Sequence, residues 1–285
     1  MNAKNFDASF SEIHDVLLEL FFQFDDICKK HNLTYFLAYG SLLGGVRHNG
    51  FIPWDDDFDV WMARDQYDRL IEVLNTDNLQ NKFGLFSDEK KWDLPLMFQG
   101  KFVNREMLCD RNKFGTTIVT FPWIDIFILD TYPIKKEKKY LKSVKRASVF
   151  FNLYRLKDCD PVKRTSKGFH RLIFKANDIF HFLDRIKKEK VYNKFLGKLT
   201  KYKSGDMFFC FATEYMSDLK KCSYRKEWFD PVHIGKFEKL NAPFPQKYDL
   251  ILNRIYNDYM VLPPVEKRNH THEINNIRAD TSSQL

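Results

Sequence analysis

A periodic pattern of apolar positions begins near residue 11 and continues to residue 30. Apolar side chains recur there every three or four residues, at Ile13, Val16, Leu17, Leu20, Phe21, Phe24 and Ile27. This spacing gathers them on one face of an α-helix and leaves the polar residues on the other. It predicts an amphipathic helix over residues 11–30 that buries one face and ends at Asn32.

Short apolar runs alternate with helical patterns over the next hundred residues. Strands are predicted over residues 35–39, 57–62, 97–103, 117–121 and 123–129, with a turn or short helix over 41–47, a loop over 51–54 and a helix over 64–74. Strands and helices that alternate in this way indicate a mixed sheet. The predicted fold class is α/β (α+β), a mixed sheet flanked by helices.

The second half of the chain is more polar, and its pattern first predicts helices. Residues 135–205 are expected to form a basic helical insertion, broken around 161–166. Beyond it we expect a strand over 207–212, turns over 230–245, a helix over 246–256 and a frayed polar tail after 273. The predicted domains are a catalytic core over 1–134, the insertion over 135–205, and a segment over 206–285 that completes the core and active site.

Charge is distributed unevenly along the chain. Residues 135–203 hold 22 Lys and Arg against 6 Asp and Glu, a net charge of +16, so the rest of the chain carries −8 of the overall +8. Such a segment suits an anionic partner, whether a phosphorylated glycan, a nucleic acid or a membrane surface. A solvated helical surface accounts for the same charges equally well.

Cysteine content and hydropathy bear on the compartment. The five cysteines are an odd number and form no C-x-x-C pair, which argues against a disulfide framework and a four-cysteine zinc site. The sequence shows no secretory signal and no apolar run near the ~20 residues that span a bilayer. We expect a cytoplasmic protein, for which peripheral contact with the inner membrane face stays open.

The acidic residues 55–59 carry the strongest chemical signal. On the predicted strand Asp57 and Asp59 point to the same face, with their Cα atoms ~6.5 Å apart. Two carboxylates side by side repel each other unless a divalent cation neutralises them. An Asp-x-Asp pair alone is a weak signal, because acidic runs are usually solvated loop residues.

A third carboxylate is expected from a neighbouring strand. Asp125 stands alone in the apolar run 121–129, where a buried charge is costly unless it is paired or bound to metal. Three converging carboxylates can hold one or two Mg²⁺ ions, which align a phosphate and stabilise the charge of an in-line displacement. Asp57, Asp59 and Asp125 are therefore the predicted catalytic residues and ligands for Mg²⁺ or Mn²⁺.

Residues just before the acidic cluster fit phosphate binding. Gly40 follows a predicted strand and would let the backbone approach a phosphate, while the Ser41 hydroxyl and nearby N–H groups could bind its oxygens. Arg47 could bind a phosphate with both arms of its guanidinium. A Gly-Ser pair alone is a very weak signal, but its position before the acidic strand makes the combination more specific.

These motifs together carry a resemblance to a known family. Residues 40–60, GSLLGGVRHNGFIPWDDDFDV, closely resemble the signature of the LicD family, which includes bacterial phosphocholine transferases and is related to fukutin-type ribitol-phosphate transferases. Residues 259–264, YMVLPP, with Arg268 and His270 after them, are similar to the family's C-terminal block. The resemblance spans residues 33–272 and is weak through the basic middle.

The resemblance implies a nucleotidyltransferase-type fold and a phosphotransferase reaction. The family typically transfers phosphocholine from CDP-choline to a hydroxyl of a cell-surface glycan precursor, such as one of teichoic acid or lipopolysaccharide. The implied partners are CDP-choline or another CDP-linked donor and a glycan or lipid-linked glycan acceptor. In the implied mechanism the hydroxyl attacks the distal phosphorus, CMP leaves, and Asp125 assists deprotonation. The cysteine cluster of zinc-binding relatives is missing, so zinc is not predicted.

Eight residues are candidates for substrate binding: Gly40, Ser41, Arg47, Trp54, Lys101, Arg105, Arg268 and His270. An aromatic face such as that of Trp54 can hold the quaternary ammonium of choline, although core packing is the default role of an aromatic residue. Lys101 and Arg105 lie near the strand before Asp125 and could reach donor phosphates, or could be ordinary surface charges.

Two other functions stay open. A nucleotidyltransferase that modifies a small molecule, protein or nucleic acid would use the same carboxylates, because donor orientation decides which phosphorus is attacked. A non-catalytic basic adaptor would be expected to have lost one of the three carboxylates, and here all three are present. No specific nucleic-acid partner is expected.

Overall fold

The computed structural model describes residues 3–76, 79–86, 99–113, 116–156, 185–212, 218–268 and 274–279. The helices in these residues are α1 (Ala3–Lys30), α2 (Tyr39–His48), α3 (Arg64–Thr76), α4 (Glu137–Leu156), α5 (Lys188–Leu199) and α6 (Tyr248–Tyr256). The strands are β1 (Phe36–Leu37), β2 (Asp59–Ala63), β3 (Phe83–Phe86), β4 (Gln99–Asn104), β5 (Met107–Lys113), β6 (Thr116–Thr120), β7 (Trp123–Tyr132), β8 (Met207–Cys210), β9 (Ser223–Arg225), β10 (His233–Phe237), β11 (Leu240–Phe244) and β12 (Ile274–Ala279).

The chain divides into two compact units. The first comprises Met1–Ser87, Gln99–Leu129 and Lys226–Leu285, and the second comprises Asp88–Phe98 and Asp130–Arg225. Both parts of the acidic motif, residues 55–59 and Asp125, belong to the first unit. The domain division drawn from the sequence, with boundaries at 134/135 and 205/206, stays a prediction.

A mixed sheet forms the centre of the first unit. Its strand order is β1-β2-β7-β4-β3, in which β2 and β7 are parallel and the other neighbours are antiparallel. Successive residues Val60, Trp61 and Met62 of β2 are all fully buried, as in strands that are covered on both faces. The mixed α/β fold predicted from the sequence is confirmed.

Helix α1 packs against this sheet through a cluster of aromatic rings. Phe21 stacks on Phe58 with ring centroids 4.4 Å apart, and Phe24 meets Phe102 of β4 edge-on at 5.3 Å. The predicted helix and its buried face are confirmed, although the helix begins at Ala3 instead of near residue 11. Asn32 ends it as predicted, with a left-handed φ of 51° that breaks the helical path.

Several segments differ from the sequence prediction because pairing with another strand decides them. The tail is not frayed over residues 274–279: they form β12, which pairs with β5 in a second sheet ordered β12-β5-β6. Residues 230–245, predicted to be turns, contain the antiparallel hairpin of β10 and β11, which turns at Glu238 with a φ of 53°. Strands β3 and β5 were not predicted. Backbone hydrogen bonds to a partner strand stabilise such segments whatever their own apolar pattern.

The second unit contains helices α4 and α5 and the antiparallel pair β8–β9. The two helices pack through Phe151 and Phe195, whose rings stack at 4.8 Å, and the Tyr140 hydroxyl donates to the Leu199 carbonyl at 2.9 Å. Helices predicted in the basic stretch are thus confirmed where the structure describes it, and the predicted break at 161–166 lies outside the described residues. Among the helices described, none has the length and apolar character that crossing a bilayer requires.

Replacing Phe24 by Ala should destabilise the first unit strongly. Phe24 is fully buried, and removing a buried Phe side chain typically costs about 3–5 kcal/mol of unfolding free energy. We expect a loss of that size in urea unfolding. Phe22→Ala is the matched control, because Phe22 lies on the same helix and is 52% exposed; its change should stay within about 0.5 kcal/mol. Equal losses in both variants would contradict the packing of α1.

Candidate active site and metal centre

Strand pairing brings Asp59 and Asp125 together. The parallel register of β2 and β7 places Asp59 directly opposite Asp125. Asp57 joins them, and one carboxylate oxygen from each of the three residues lies within 4.8 Å of the other two. Oxygen ligands at this spacing suit Mg²⁺ or Mn²⁺. The donor set therefore fits a divalent cation, and the roles of the three residues as ligands and catalytic groups stay predictions.

The position of Asp57 differs from the one that the sequence predicted. Strand β2 begins at Asp59, so the predicted strand start at residue 57 is wrong and Asp57 lies in the segment that leads into the strand. The carboxylates of Asp57 and Asp59 nevertheless come together as predicted. The backbone of Asp59 is fixed from both sides: its N–H donates to Oγ of Ser41 at 2.8 Å, and its carbonyl accepts from the N–H of Ala38 at 3.0 Å. Ser41, a candidate phosphate contact, thus holds the start of β2.

Burial and the neighbouring negative charges raise the proton affinity of two of the acidic groups, Asp55 and Asp59. Burial raises the pKa of Asp59 well above its usual range, and the negative charges of Asp57 and Asp125 raise it further, while Lys101 opposes them. Burial, and after it the neighbouring Asp57, likewise raise the pKa of Asp55. Without a bound cation, these shifts favour protonation of Asp55 and Asp59.

Three donors surround the carboxylate of Asp125. Gln99 and Lys101 of β4 donate to its Oδ1 at 3.0 and 2.5 Å, and the indole N–H of Trp123 donates to its Oδ2 at 2.9 Å. The ammonium of Lys101 also lies 4.2 Å from the centre of the Trp123 ring. Lys101, predicted as a phosphate contact, therefore reaches the carboxylate cluster as an ion-pair partner of Asp125.

The roles of Gln99 and Trp123 at Asp125 were not predicted. Gln99 and Lys101 are two residues apart on β4, as Trp123 and Asp125 are on β7, so each pair points to one face of the sheet. The antiparallel register then sets Lys101 opposite Asp125. Period-two spacing around Asp125 was the available signal, but it identifies partners only once the pairing of β4 with β7 is known.

Gly40 lies in the first turn of α2, because this helix begins at Tyr39, two residues before the turn or short helix predicted over 41–47. A Cβ on Gly40 would lie 2.6 Å from Oδ2 of Asp55 and 3.8 Å from Oδ2 of Asp59. The first distance is too short for any real contact, so a side chain at this position would displace Asp55. Glycine is thus required here for the close approach of α2 to the carboxylates.

Arg47, Trp54 and Arg268 form a second group of candidate residues. Arg47 donates to the carbonyl of Tyr259 at 2.8 Å, and Arg268 donates to the carbonyl of Pro263 at 2.9 Å. The guanidinium of Arg268 also lies 5.1 Å from the centre of the Trp54 ring. The two arginines therefore hold both ends of the segment 259–263, part of the C-terminal block recognised in the sequence.

Two predicted substrate-binding residues, Arg105 and His270, belong to neither of these groups in the described structure. Arg105 donates to the carbonyl of Phe83 in β3 at 3.4 Å, and the structure does not place it among the carboxylates. His270 lies outside the described residues. Their predicted substrate contacts stay predictions.

A family model matches the part of the chain that contains the carboxylate cluster. Residues 32–155 match the family model described as LicD/FKTN/FKRP, nucleotidyltransferase domain. The matched range includes α2, the acidic loop, β2 and β7, and therefore every residue of the carboxylate cluster. Residues 32–155 therefore carry the LicD-family domain that the resemblance in the sequence indicated.

Individual relatives extend the match beyond this domain. The chain is 29% identical over 265 residues to the lipopolysaccharide cholinephosphotransferase LicD of Haemophilus influenzae, covering 90% of this chain and 93% of that protein. Over 49 residues, this chain is also 39% identical to an uncharacterised protein of Rickettsia prowazekii and 37% identical to one of Rickettsia typhi. These matches cover 17% of this chain and 18% and 16% of those proteins.

Removing one carboxylate should stabilise the protein when metal is absent. Because the folded-state pKa of Asp59 is raised, the folded chain binds the proton more tightly than the unfolded chain, and this contribution to stability is lost as pH rises through the raised pKa. The neutral side chain of Asp59→Asn does not ionise, so the variant does not lose this stability as pH rises. In urea unfolding with EDTA, the variant should therefore gain stability over the parent chain, and the gain should grow as pH rises above about 4, the usual pKa of an Asp side chain in an unfolded chain.

The exposed Asp26 of α1 provides the control for this experiment. Asp26→Asn should unfold like the parent chain at every pH. A gain for Asp59→Asn that stays constant with pH would show that the carboxylates do not interact as described.

Proposed function

We propose that this chain is a metal-dependent phosphotransferase. It transfers phosphocholine, or a related phospho-group, from a CDP-linked donor to a hydroxyl of a cell-surface glycan precursor. The observation that carries the proposal is the convergence of Asp57, Asp59 and Asp125 within 4.8 Å inside the domain matched by the family model. The long match to a lipopolysaccharide cholinephosphotransferase supports the choice of donor and acceptor.

In this proposal the three carboxylates hold Mg²⁺ or Mn²⁺. A cation held there would neutralise the donor diphosphate and stabilise the charge that develops as the phosphoryl group is transferred. Protein groups keep the ligands in place: Ser41 fixes the backbone of Asp59, and Gln99 and Trp123 fix the carboxylate of Asp125. Rigid ligands favour one orientation of the donor, which decides which phosphorus is attacked.

Proton transfer and charge balance fall to residues around Asp125. The acceptor hydroxyl must lose its proton as it attacks, and Asp125 is the proposed acceptor of that proton. Lys101 already contacts Asp125, so in the proposal it offsets negative charge at the point where the donor phosphates arrive. The hydroxyl oxygen bonds to the distal phosphorus, the bond between that phosphorus and the bridging oxygen of the diphosphate breaks, and CMP leaves with the bonding electrons.

Trp54 is the proposed contact for the choline group. Its indole face already lies against the guanidinium of Arg268, which is the same kind of cation–π contact that holds a quaternary ammonium. Arg47 and Arg268 are proposed to position the donor by holding the 259–263 segment, to which each donates a hydrogen bond.

The same carboxylates would also serve a nucleotidyltransferase, which the description of the family model favours as the second candidate. Two assays separate the functions. Release of CMP from CDP-choline in the presence of Mg²⁺ and a glycan acceptor supports the phosphotransferase. Incorporation of labelled nucleoside monophosphate from an NTP, without release of CMP from CDP-choline, would contradict the phosphotransferase and support the nucleotidyltransferase.

Asp57→Asn and Asp125→Asn should each abolish most of the transfer activity. Each removes a negatively charged ligand, and loss of such a group typically lowers the rate by at least about 10²-fold. CMP release under single-turnover conditions measures the effect. Asp26→Asn is the matched control and should keep full activity. If the Asp57 and Asp125 variants kept their activity and unfolded normally on heating, the active site would not be at these carboxylates.

Gly40→Ala should lower activity with little effect on stability. The new methyl group would push Asp55 away, and displacement by about 1 Å near a reacting centre can cost about 10²-fold in rate. Gly197→Ala in α5 is the control, because a Cβ there meets no atom of the described residues within 4 Å. We expect full CMP release from that variant and a stability gain of about 0.5–1 kcal/mol. Normal activity of Gly40→Ala would show that the approach of α2 to Asp55 is unimportant.

A further inference from the structure

We propose that the second unit binds an anionic phospholipid surface through the exposed face of α4 and the groove between α4 and α5. The inference does not depend on the proposed function, because it concerns residues outside the carboxylate cluster and is tested without a donor or acceptor. It assigns a partner to the basic stretch of the sequence, for which an anionic partner and a merely solvated surface were both left open.

The exposed face of α4 contains only basic and apolar side chains. Within residues 137–152, where side chains are described, the exposed positions are Lys138, Lys139, Lys142, Lys145, Arg146, Val149 and Phe150. They recur every three or four residues and therefore lie along one face of the helix. Val149 and Phe150 are 44% and 36% exposed, and they follow the cations at the C-terminal end of the same face.

A groove of about 530 Å³ continues this basic face. Its basic lining residues are Lys139, Lys142 and Arg146 of α4, Lys194 and Lys198 of α5, and Lys201. The stacked rings of Phe151 and Phe195 also line it, and the Lys194 ammonium lies 5.9 Å from the centre of the Phe150 ring. No Asp or Glu is among the described lining residues, so this groove has a positive charge suited to several phosphate groups.

The apolar residues decide between two kinds of anionic partner. A nucleic acid would satisfy the cations through its phosphates, but it offers no apolar environment for Val149. A bilayer surface offers both, since lipid phosphates lie next to the acyl boundary where aliphatic and aromatic side chains enter. Basic residues with adjacent Phe and Val on one helix face therefore favour lipid.

The test is sedimentation of the full chain with phospholipid vesicles. We expect binding to vesicles that contain phosphatidylglycerol, little binding to phosphatidylcholine alone, and weaker binding in high salt. The triple variant Lys142→Glu, Arg146→Glu and Lys194→Glu should bind at least about 100-fold more weakly, because each basic residue at an anionic surface contributes roughly a fivefold gain. Val149→Ser with Phe150→Ser should also weaken binding.

A matched control separates this face from total charge. Lys220→Glu, Lys236→Glu and Lys239→Glu change the net charge equally at exposed lysines elsewhere and should leave vesicle binding nearly intact. Equal losses in both triple variants would overturn the proposal. Tighter binding to single-stranded RNA than to vesicles, abolished by the α4 and α5 substitutions, would assign the face to nucleic acid instead. Circular dichroism and thermal unfolding check that each variant is folded.

Discussion

Like charges in a small buried volume repel one another, and much of the first unit serves to hold such charges in place. Asp55, Asp57 and Asp59 come from one segment, and β7 adds Asp125 from the neighbouring strand. Burial, and after it this repulsion, raises the pKa values of Asp55 and Asp59. Flexible carboxylates would move apart, so close contact between them requires fixed backbones and close-packed surroundings.

Positive charge from Lys101 offsets only part of the negative charge of the carboxylate cluster. Lys101 brings one ammonium to the cluster, held between Asp125 and the ring of Trp123, and so leaves a net negative charge that a divalent cation would offset. Two of the arginines predicted as substrate contacts also bind the protein's own backbone. Arg47 and Arg268 bind main-chain carbonyls of the segment 259–263, so the C-terminal block is positioned by the same residues that are proposed to help position the donor.

Local patterns predicted those elements whose side chains decide their structure. The face of α1, the mixed sheet and the meeting of Asp59 with Asp125 follow from apolar periodicity and from the cost of an isolated buried Asp. Strand β12 and the partners of Asp125 could not be predicted in this way, because strands distant in sequence determine them. The β10–β11 hairpin was missed because Gly235, Asn241 and Pro243 within its strands are residues typical of turns. The start of β2 was misplaced because Ser41, eighteen residues earlier, fixes the N–H of Asp59.

The parallel pairing of β2 with β7 also governs when the site comes into being during folding. Asp59 and Asp125 are far apart in sequence, and parallel neighbours need a long crossover connection, so their contact closes a large loop and forms slowly relative to local helices. A growing polypeptide that has not yet synthesised residue 125 lacks the third ligand altogether. The cluster is therefore a product of tertiary structure, and incompletely folded chains would be unable to assemble it.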